Sequence, residues 1–304
     1  MGPSLVTEVA RLVETEWPAR IRRGIAEDAR ERPRFSASWV IPRPPREAVL
    51  ARTYRVGASE VRLYRIPGGT ESLYFVAPRE YAMPPDHMRL VHLAREELRR
   101  SPPDRVRLDR PADVREYVTR FAERAIFRWA VEKGISLGGE RAKAVETGRR
   151  LAGVLARYTV GLGVVEIPLR DPNVQDVYLD APAGATPLHV TIADVGEGLQ
   201  QRCVTNVFLT SLDADALLAR LRLESGRPFS EAMPVLETNL DAFRVRATAV
   251  GPPLSPDGPA VALRRHSTEP WTLTRLVATG ALTPFAAGLL SFLVDGRSTI
   301  LIAG

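Results

Sequence analysis

At 304 residues the chain is long enough to bury a sizeable core, with about two domains as the prior. Its 45% hydrophobic and 26% charged residues are ordinary for a soluble globular protein. No run approaches ~20 apolar residues, and Met1-Gly-Pro-Ser-Leu-Val-Thr-Glu has no signal-peptide pattern, so neither a transmembrane helix nor a secretory leader is expected. The one cysteine, Cys203, excludes an internal disulfide and fits a cytoplasmic address; within Cys203–Leu209 it reads as a packing residue. Net charge is +6 and the pI about 9.9, yet only Lys133 and Lys143 are lysines, a skew that genome composition can produce. The arginines are interleaved with acids, as in Glu14–Arg34, and no aromatic interleaving or helix-turn-helix pattern accompanies them, so nucleic-acid binding is not expected.

In chain order, Leu5, Val9, Leu12, Val13, Ile21 and Ile25 lie at roughly helical spacing, broken by Pro18, which predicts two short helices within 3–31. Pro33–Pro45 reads as an extended connector. Val61–Ile66 and Ser72–Val76 flank Pro67-Gly-Gly-Thr-Glu71, which predicts a β-hairpin. Helices are expected from Pro84-Pro-Asp86 through Leu98, from about Arg110 to Glu132 and from Glu140 to Tyr158. The pattern then turns to strands at Val174–Leu179, Leu188–Ile192 and Val204–Leu209. A helix opens near Ser211–Asp213, runs to Ser225 and stops at Gly226 and Pro228. Strands resume at Val235–Leu240, Phe243–Val250 and Val261–Arg265, the last two joined by the long loop Pro252–Pro259. Thr299–Ala303 is a β-branched apolar run that suits a buried parallel strand, and Gly304 stands where a phosphate-binding loop begins. The fold class expected is α+β: a helical N-terminal region with a β-hairpin, then a mixed strand-bearing module. The boundaries expected are 1–109, 110–159, 160–268 and 269–304.

Several segments in order carry a resemblance. They are Gly161-Leu-Gly-Val-Val-Glu-Ile-Pro-Leu-Arg-Asp-Pro-Asn-Val-Gln-Asp-Val-Tyr-Leu-Asp180, Ser225-Gly-Arg-Pro-Phe-Ser-Glu-Ala-Met-Pro-Val-Leu236, Phe243-Arg-Val-Arg-Ala-Thr248, Gly258-Pro-Ala-Val-Ala-Leu-Arg-Arg-His-Ser267 and Leu289-Leu-Ser-Phe-Leu-Val-Asp-Gly-Arg297. Together they resemble the N-terminal domain of the motor ATPases of type II secretion, type IV pili and the archaellum, especially archaeal members. Residues 1–150 match only loosely. The resemblance implies that Thr299–Gly304 opens a RecA-like motor domain, with Gly304 as the first glycine of the phosphate loop. It also implies ATP and Mg²⁺ as cofactors, a hexameric ring, an integral-membrane platform protein as partner, and a place at the cytoplasmic face of the membrane. The phosphate-loop lysine and the Mg²⁺ ligands are absent from the 304 residues, so this polypeptide by itself is expected not to hydrolyse ATP.

Arg244 and Arg264 fall on the two arms of the expected hairpin, where strand alternation can bring them to one face as a phosphate clamp. The resemblance gives these two the catalytic, phosphate-contacting role, with Arg246 and Arg265 as neighbours able to substitute. A solvated strand face is the bland alternative. His87 and His92 are five apart, His189 stands alone and His266 adjoins the arginines, so no metal site is expected. Ser225 and Ser291 lack a nucleophile elbow. Asp171, Asp176 and Asp180 read as turn and strand-end residues. Trp17, Trp39, Trp129 and Trp271 read as core or interface anchors. Two other functions stay open: a non-enzymatic scaffold or regulator that kept this domain without the motor, and a basic nucleic-acid-binding domain.

Overall fold

The computed structural model describes residues 33, 35–100, 111–193, 198–266 and 271–301. The helices expected within 3–31, Trp17 and Gly304 lie outside them. The chain divides into two units, Met1–Arg265 and His266–Gly304.

The first unit begins with β1 (Trp39–Val40), which interrupts the expected connector, and continues with β2 (Val49–Val56), β3 (Ser59–Arg65) and β4 (Ser72–Ala77). The hairpin around Pro67-Gly-Gly is present. It gains β2 as an outer strand, which in/out alternation could not signal: nearly all of β2 is exposed and its register shifts between Leu50 and Arg52. Three helices follow, α1 (Pro85–Arg100), α2 (Pro111–Lys133) and α3 (Arg141–Thr159), each within two residues of its expected span. Leu90, Val91, Ala94 and Leu98 from α1 pack with Val118, Ala122 and Ile126 from α2 and with Leu151 and Leu155 from α3. These are the three- and four-residue spacings that put one stripe of a helix inward.

A five-residue helix, α4 (Glu166–Arg170), leads into β5 (Val174–Leu179), β6 (His189–Ile192), β7 (Arg202–Thr205) and β8 (Val207–Phe208). The run expected as one strand at Val204–Leu209 is therefore two, and the cause is Asn206. Its amide, almost fully buried, accepts from Val76 N at 2.7 Å and donates to Val76 O at 2.9 Å and Ile41 O at 2.8 Å. It thereby stitches the ends of β4 and β1 to the kink. Helix α5 (Ser211–Ser225) starts on a capping box between Thr210 and Asp213 and ends on left-handed Gly226. The unit closes with β9 (Val235–Leu240), β10 (Val245–Val250) and β11 (Ala260–Arg265).

Nine strands form one sheet in the order β2-β3-β4-β7-β6-β5-β11-β10-β9, antiparallel throughout except where β4 runs parallel to β7. That parallel pair joins the N-terminal hairpin to the strands expected as a separate module at 160–268. One side of the sheet packs Val177, Leu179, Leu236, Val245, Ala247 and Leu263 against Leu217, Leu218 and Leu221 of α5. Tyr64, Leu73, Phe75 and Val204 make a smaller cluster on β3, β4 and β7.

The second unit contains α6 (Leu273–Ala278) and α7 (Pro284–Asp295), capped by Thr272 and Thr283. Thr299–Leu301, the described part of the expected terminal strand, is not in a strand; among the described residues this unit holds no second strand to complete a ladder. Trp271 is exposed there rather than packed as an anchor, with the Arg275 guanidinium 4.6 Å from its ring centroid. No single described helix is long and apolar enough to cross a membrane.

Candidate functional site

Strand alternation sets the site. Along β10 and β11 every second side chain is buried in the core cluster that includes α5, which leaves Arg246, Thr248, Ala262 and Arg264 on the opposite side of the sheet. Register makes Arg246 and Arg264 direct cross-strand neighbours, and extends their row to Asn239 on β9 and to Asp176 on β5. The clamp expected from Arg244 and Arg264 thus has Arg246 as the opposite number of Arg264.

Arg244 lies outside the ladder because Asp241–Phe243 form a single 3-10 turn, and Arg244 closes it in the left-handed region at φ 55° with its N–H on Asp241 O at 3.1 Å. A non-glycine residue there costs about 1–2 kcal/mol. The Arg244 side chain is exposed and makes no hydrogen bond or ion pair among the described residues.

The two face arginines are loosely held. Arg264 is 81% exposed and touches Asp176 only at 3.6 Å. Arg246 donates one hydrogen bond to Glu237 at 2.9 Å, with both side chains about half exposed. Exposed pairs of this kind contribute little, ~0–1 kcal/mol, so both guanidinium groups are available to a stronger oxyanion.

Arg265 is different. It points to the other side of β11 and donates to Val174 O at 2.8 Å, Leu169 O at 2.6 Å and Asp171 O at 2.9 Å. Burial pulls its guanidinium pKa down, and the nearby Arg244 charge acts in the same direction. Its Nε and Nη2 are taken up by the backbone between α4 and β5, so it braces the arm that presents Arg264.

That brace belongs to a polar layer the sequence did not reveal. Asp171 is fully buried and accepts from the hydroxyls of Tyr54 (2.7 Å) and Tyr74 (2.8 Å) and from Asn173 N (2.9 Å). Burial raises both phenols, and the hydrogen bonds to Asp171 add to the rise. Glu166, with 1% of its side chain exposed, takes a two-pronged bond from Arg115 at 2.7 and 2.9 Å, one from Arg170 at 3.1 Å and one from Leu162 N at 3.2 Å. Burial alone pushes its carboxyl up, but the Arg115 hydrogen bonds and charge, Leu162 N–H and Arg170 outweigh it and hold the group below its usual range. A spacing of 51 residues between Arg115 and Glu166 leaves no sequence signal for such a pair.

The remaining candidates are structural. Cys203 is fully buried in the sheet, its thiol pushed up to about 12 mainly by burial. His189 lies 3.2 Å from Asp180 on β6, and His87 is 3.4 Å from Ser136 O. Among the described residues no group of three His, Cys, Asp or Glu side chains is placed to hold a metal ion. Asp176 faces Arg264 from mid-strand rather than from a strand end.

No family model matches the chain. Two proteins of Mycobacterium tuberculosis, each named as a conjugal transfer protein, are 30% identical over 156 residues, which is 50% of this chain and 42% of theirs. An uncharacterized protein of Methanocaldococcus jannaschii is 26% identical over 152 residues, 50% of this chain and 26% of its own. The chain thus spans less than half the length of these relatives. Among solved structures, the VirB11 ATPase of the Brucella suis type IV secretion system, in complex with sulphate, matches 44% of this chain and 40% of its own at 22% identity. At a TM-score of 0.30 that likeness is too slight to carry an argument.

Proposed function

We propose that the chain is the N-terminal part of an ATPase that drives a secretion or conjugal-transfer machine, and that its open sheet face meets the outer phosphate of ATP. The observation that carries this reading is the arginine pair: Arg246 and Arg264 stand opposite each other with exposed side chains, each with one loose carboxylate contact among the described residues, while Arg265 on the same strand as Arg264 braces it to the α4–β5 connection. The names of the mycobacterial relatives and the order of motifs from Gly161 to Arg297 support it. The planar guanidinium fork suits phosphate oxygens, so the residues present fit the polyphosphate end of a nucleotide. Among the described residues no group of three His, Cys, Asp or Glu side chains could hold a metal ion; in this reading the metal and the phosphate-loop lysine would come from a motor domain of the whole protein. Bound ATP supplies the transferable phosphoryl group. Arg264, with Arg246 beside it and Arg244 at the turn, would stabilise charge on its equatorial oxygens. A delivered arginine contributes ~10³–10⁵ in rate, or about 4–7 kcal/mol of barrier. Hexamer formation through the motor domain, work against an integral-membrane platform protein and a place at the cytoplasmic membrane face are parts of the same proposal. Type II secretion, pilus and archaellum machines remain the finer form suggested by the motif order.

The test is steady-state ATP turnover of the whole protein. Arg264→Ala is expected to lower it at least ~10²-fold with an unchanged melting temperature. Arg246→Ala and Arg244→Ala should lower it too, and a double variant should fall less than additively if one phosphate is shared. Lysine at 264 should rescue in part, since a point charge lacks the fork. Normal turnover in all three single variants would leave these arginines a solvated face and end the proposal.

A further inference from the structure

The nine-stranded sheet has two ends that differ in kind. Both end strands pair along one side only, but β9 packs one face against α5, with Leu236 and Leu240 buried there. At the other end β2 pairs with β3 along one side, and among the described residues nothing pairs along its outer side. It is eight residues long, more than the ~5–6 typical of a strand, and contains no proline. Its side chains are exposed from Val49 to Thr53, with Val49 at 46% and Leu50 at 53%.

An open edge is a template for another strand, and proteins usually blunt such edges with charge, bulges or cover; here the register shift between Leu50 and Arg52 leaves Arg52–Val56 as the regular stretch. The exposed charge here is mostly arginine, with Glu47 beside Arg46 and Glu60 opposite Arg55. Arg46, Arg52 and Arg55 are exposed on β2 and the turn before it, with Arg65 exposed beside Val49 at the end of β3, and none has an ion pair with a carboxylate among the described residues. Of the nearby acids, Glu60 is paired with Arg62. Like charges directly opposite are destabilising, which disfavours two β2 edges of separate copies meeting. The same row attracts acidic side chains, while Val49 and Leu50 offer apolar contact to the alternate positions of an incoming strand.

The geometry points to the β2 edge as the docking site for an extended acidic segment of a partner protein, added as a tenth strand. Main-chain hydrogen bonds would give the affinity, and Arg46, Arg55 and their neighbours the preference for acids. The site lies on the far end of the sheet from Arg264 in strand order and does not depend on the phosphate reading.

The experiment is fluorescence anisotropy of the chain with a labelled peptide of alternating aspartate and valine. Three controls accompany it: the same peptide with lysine for aspartate, the same peptide N-methylated at alternate amides, and vesicles of phosphatidylserine and phosphatidylcholine. The acidic peptide is expected to bind, and each control peptide to bind at least ~10-fold more weakly, about 1.4 kcal/mol. The double substitution Arg46→Glu and Arg55→Glu should weaken the acidic peptide by a similar factor without altering the melt. It spares Arg52, which rests 5.3 Å over the Tyr54 ring. Equal binding of the N-methylated peptide would reduce the site to plain charge attraction and overturn the tenth strand. Undiminished binding by the double variant would overturn the location. Capture by vesicles without peptide binding would replace the peptide by a membrane surface.

Discussion

At the scale of single residues, adjacent arginines on one strand have opposite duties. Arg264 faces solvent and Arg265 fastens three carbonyls of the α4–β5 connection. Removing the Arg265 guanidinium leaves part-buried acceptors without donors, a cost of about 1–3 kcal/mol. Arg265→Ala should therefore lower the urea midpoint clearly, while Arg264→Ala stays within about 0.5 kcal/mol of wild type. Equal midpoints for the two variants would contradict the division. Gly161 is equally constrained: a Cβ there would stand 2.3 Å from Glu166 Oε1 and 2.7 Å from Arg157 O. Gly161→Ala should destabilise by about 1–3 kcal/mol, because one of those neighbours is backbone and cannot turn aside. The β10–β11 hairpin, Arg264 on its second arm and the Pro252–Pro259 loop were legible in the sequence because turn residues and alternation are local, whereas Arg244, expected on the first arm, lies before it. The left-handed closure at Arg244 was not legible, since a type of turn, rather than a composition, decides whether position 244 starts the strand or ends the loop.

At the scale of elements, Glu166 ties α2, α3 and α4 to one carboxylate through Arg115, Arg157 and Arg170. Its folded-state pKa lies below the ordinary 4.5, so the unfolded chain binds a proton more readily than the native one. The stability it contributes is present above that value and is lost as pH falls through the depressed folded pKa, with a slope of at most about 1.4 kcal/mol per pH unit. Glu166→Gln should lose stability at neutral pH, by no more than about 3 kcal/mol because Arg115 is a third exposed and can recover water. The same variant should show a shallower acid limb in urea titrations below pH 4.5; parallel limbs would remove Glu166 from the account. Helices α1, α2, α3 and α5 and most of the expected strands could be read from periodicity within two residues. The elements not expected were β1, β2, α4, α6 and α7; β2 has an exposed pattern that carries no alternation, and the split at Asn206 followed from a buried amide whose partners are 130 and 165 residues away.

At the scale of the molecule, the β4–β7 pair makes the hairpin and the later strands one sheet. A fragment of residues 160–268 would lose that neighbour and expose Val204, which lies in the cluster with Leu73 and Phe75. It is expected to give no cooperative melt, whereas residues 35–266 should melt in one transition. The chain of 304 residues is expected to show no ATP turnover above background, because neither Lys133 nor Lys143 stands in a G-x-x-x-x-G-K-[ST] context. Robust turnover by the purified chain would mean a phosphate site of another kind. What the sequence alone determined were the elements with a strong local period, the arginine-bearing hairpin, and the motif order that suggested a secretion ATPase. Periodicity and turn chemistry act over a few residues, so they survive without knowledge of the fold. The tertiary structure decided that Arg246 opposes Arg264, that Arg265 is committed to the backbone, that Glu166 and Asp171 are buried and satisfied, and that β4 adjoins β7. Each of these depends on register or on contacts between residues far apart in the chain, where a one-residue slip reverses the face of every side chain and no local pattern records the partner.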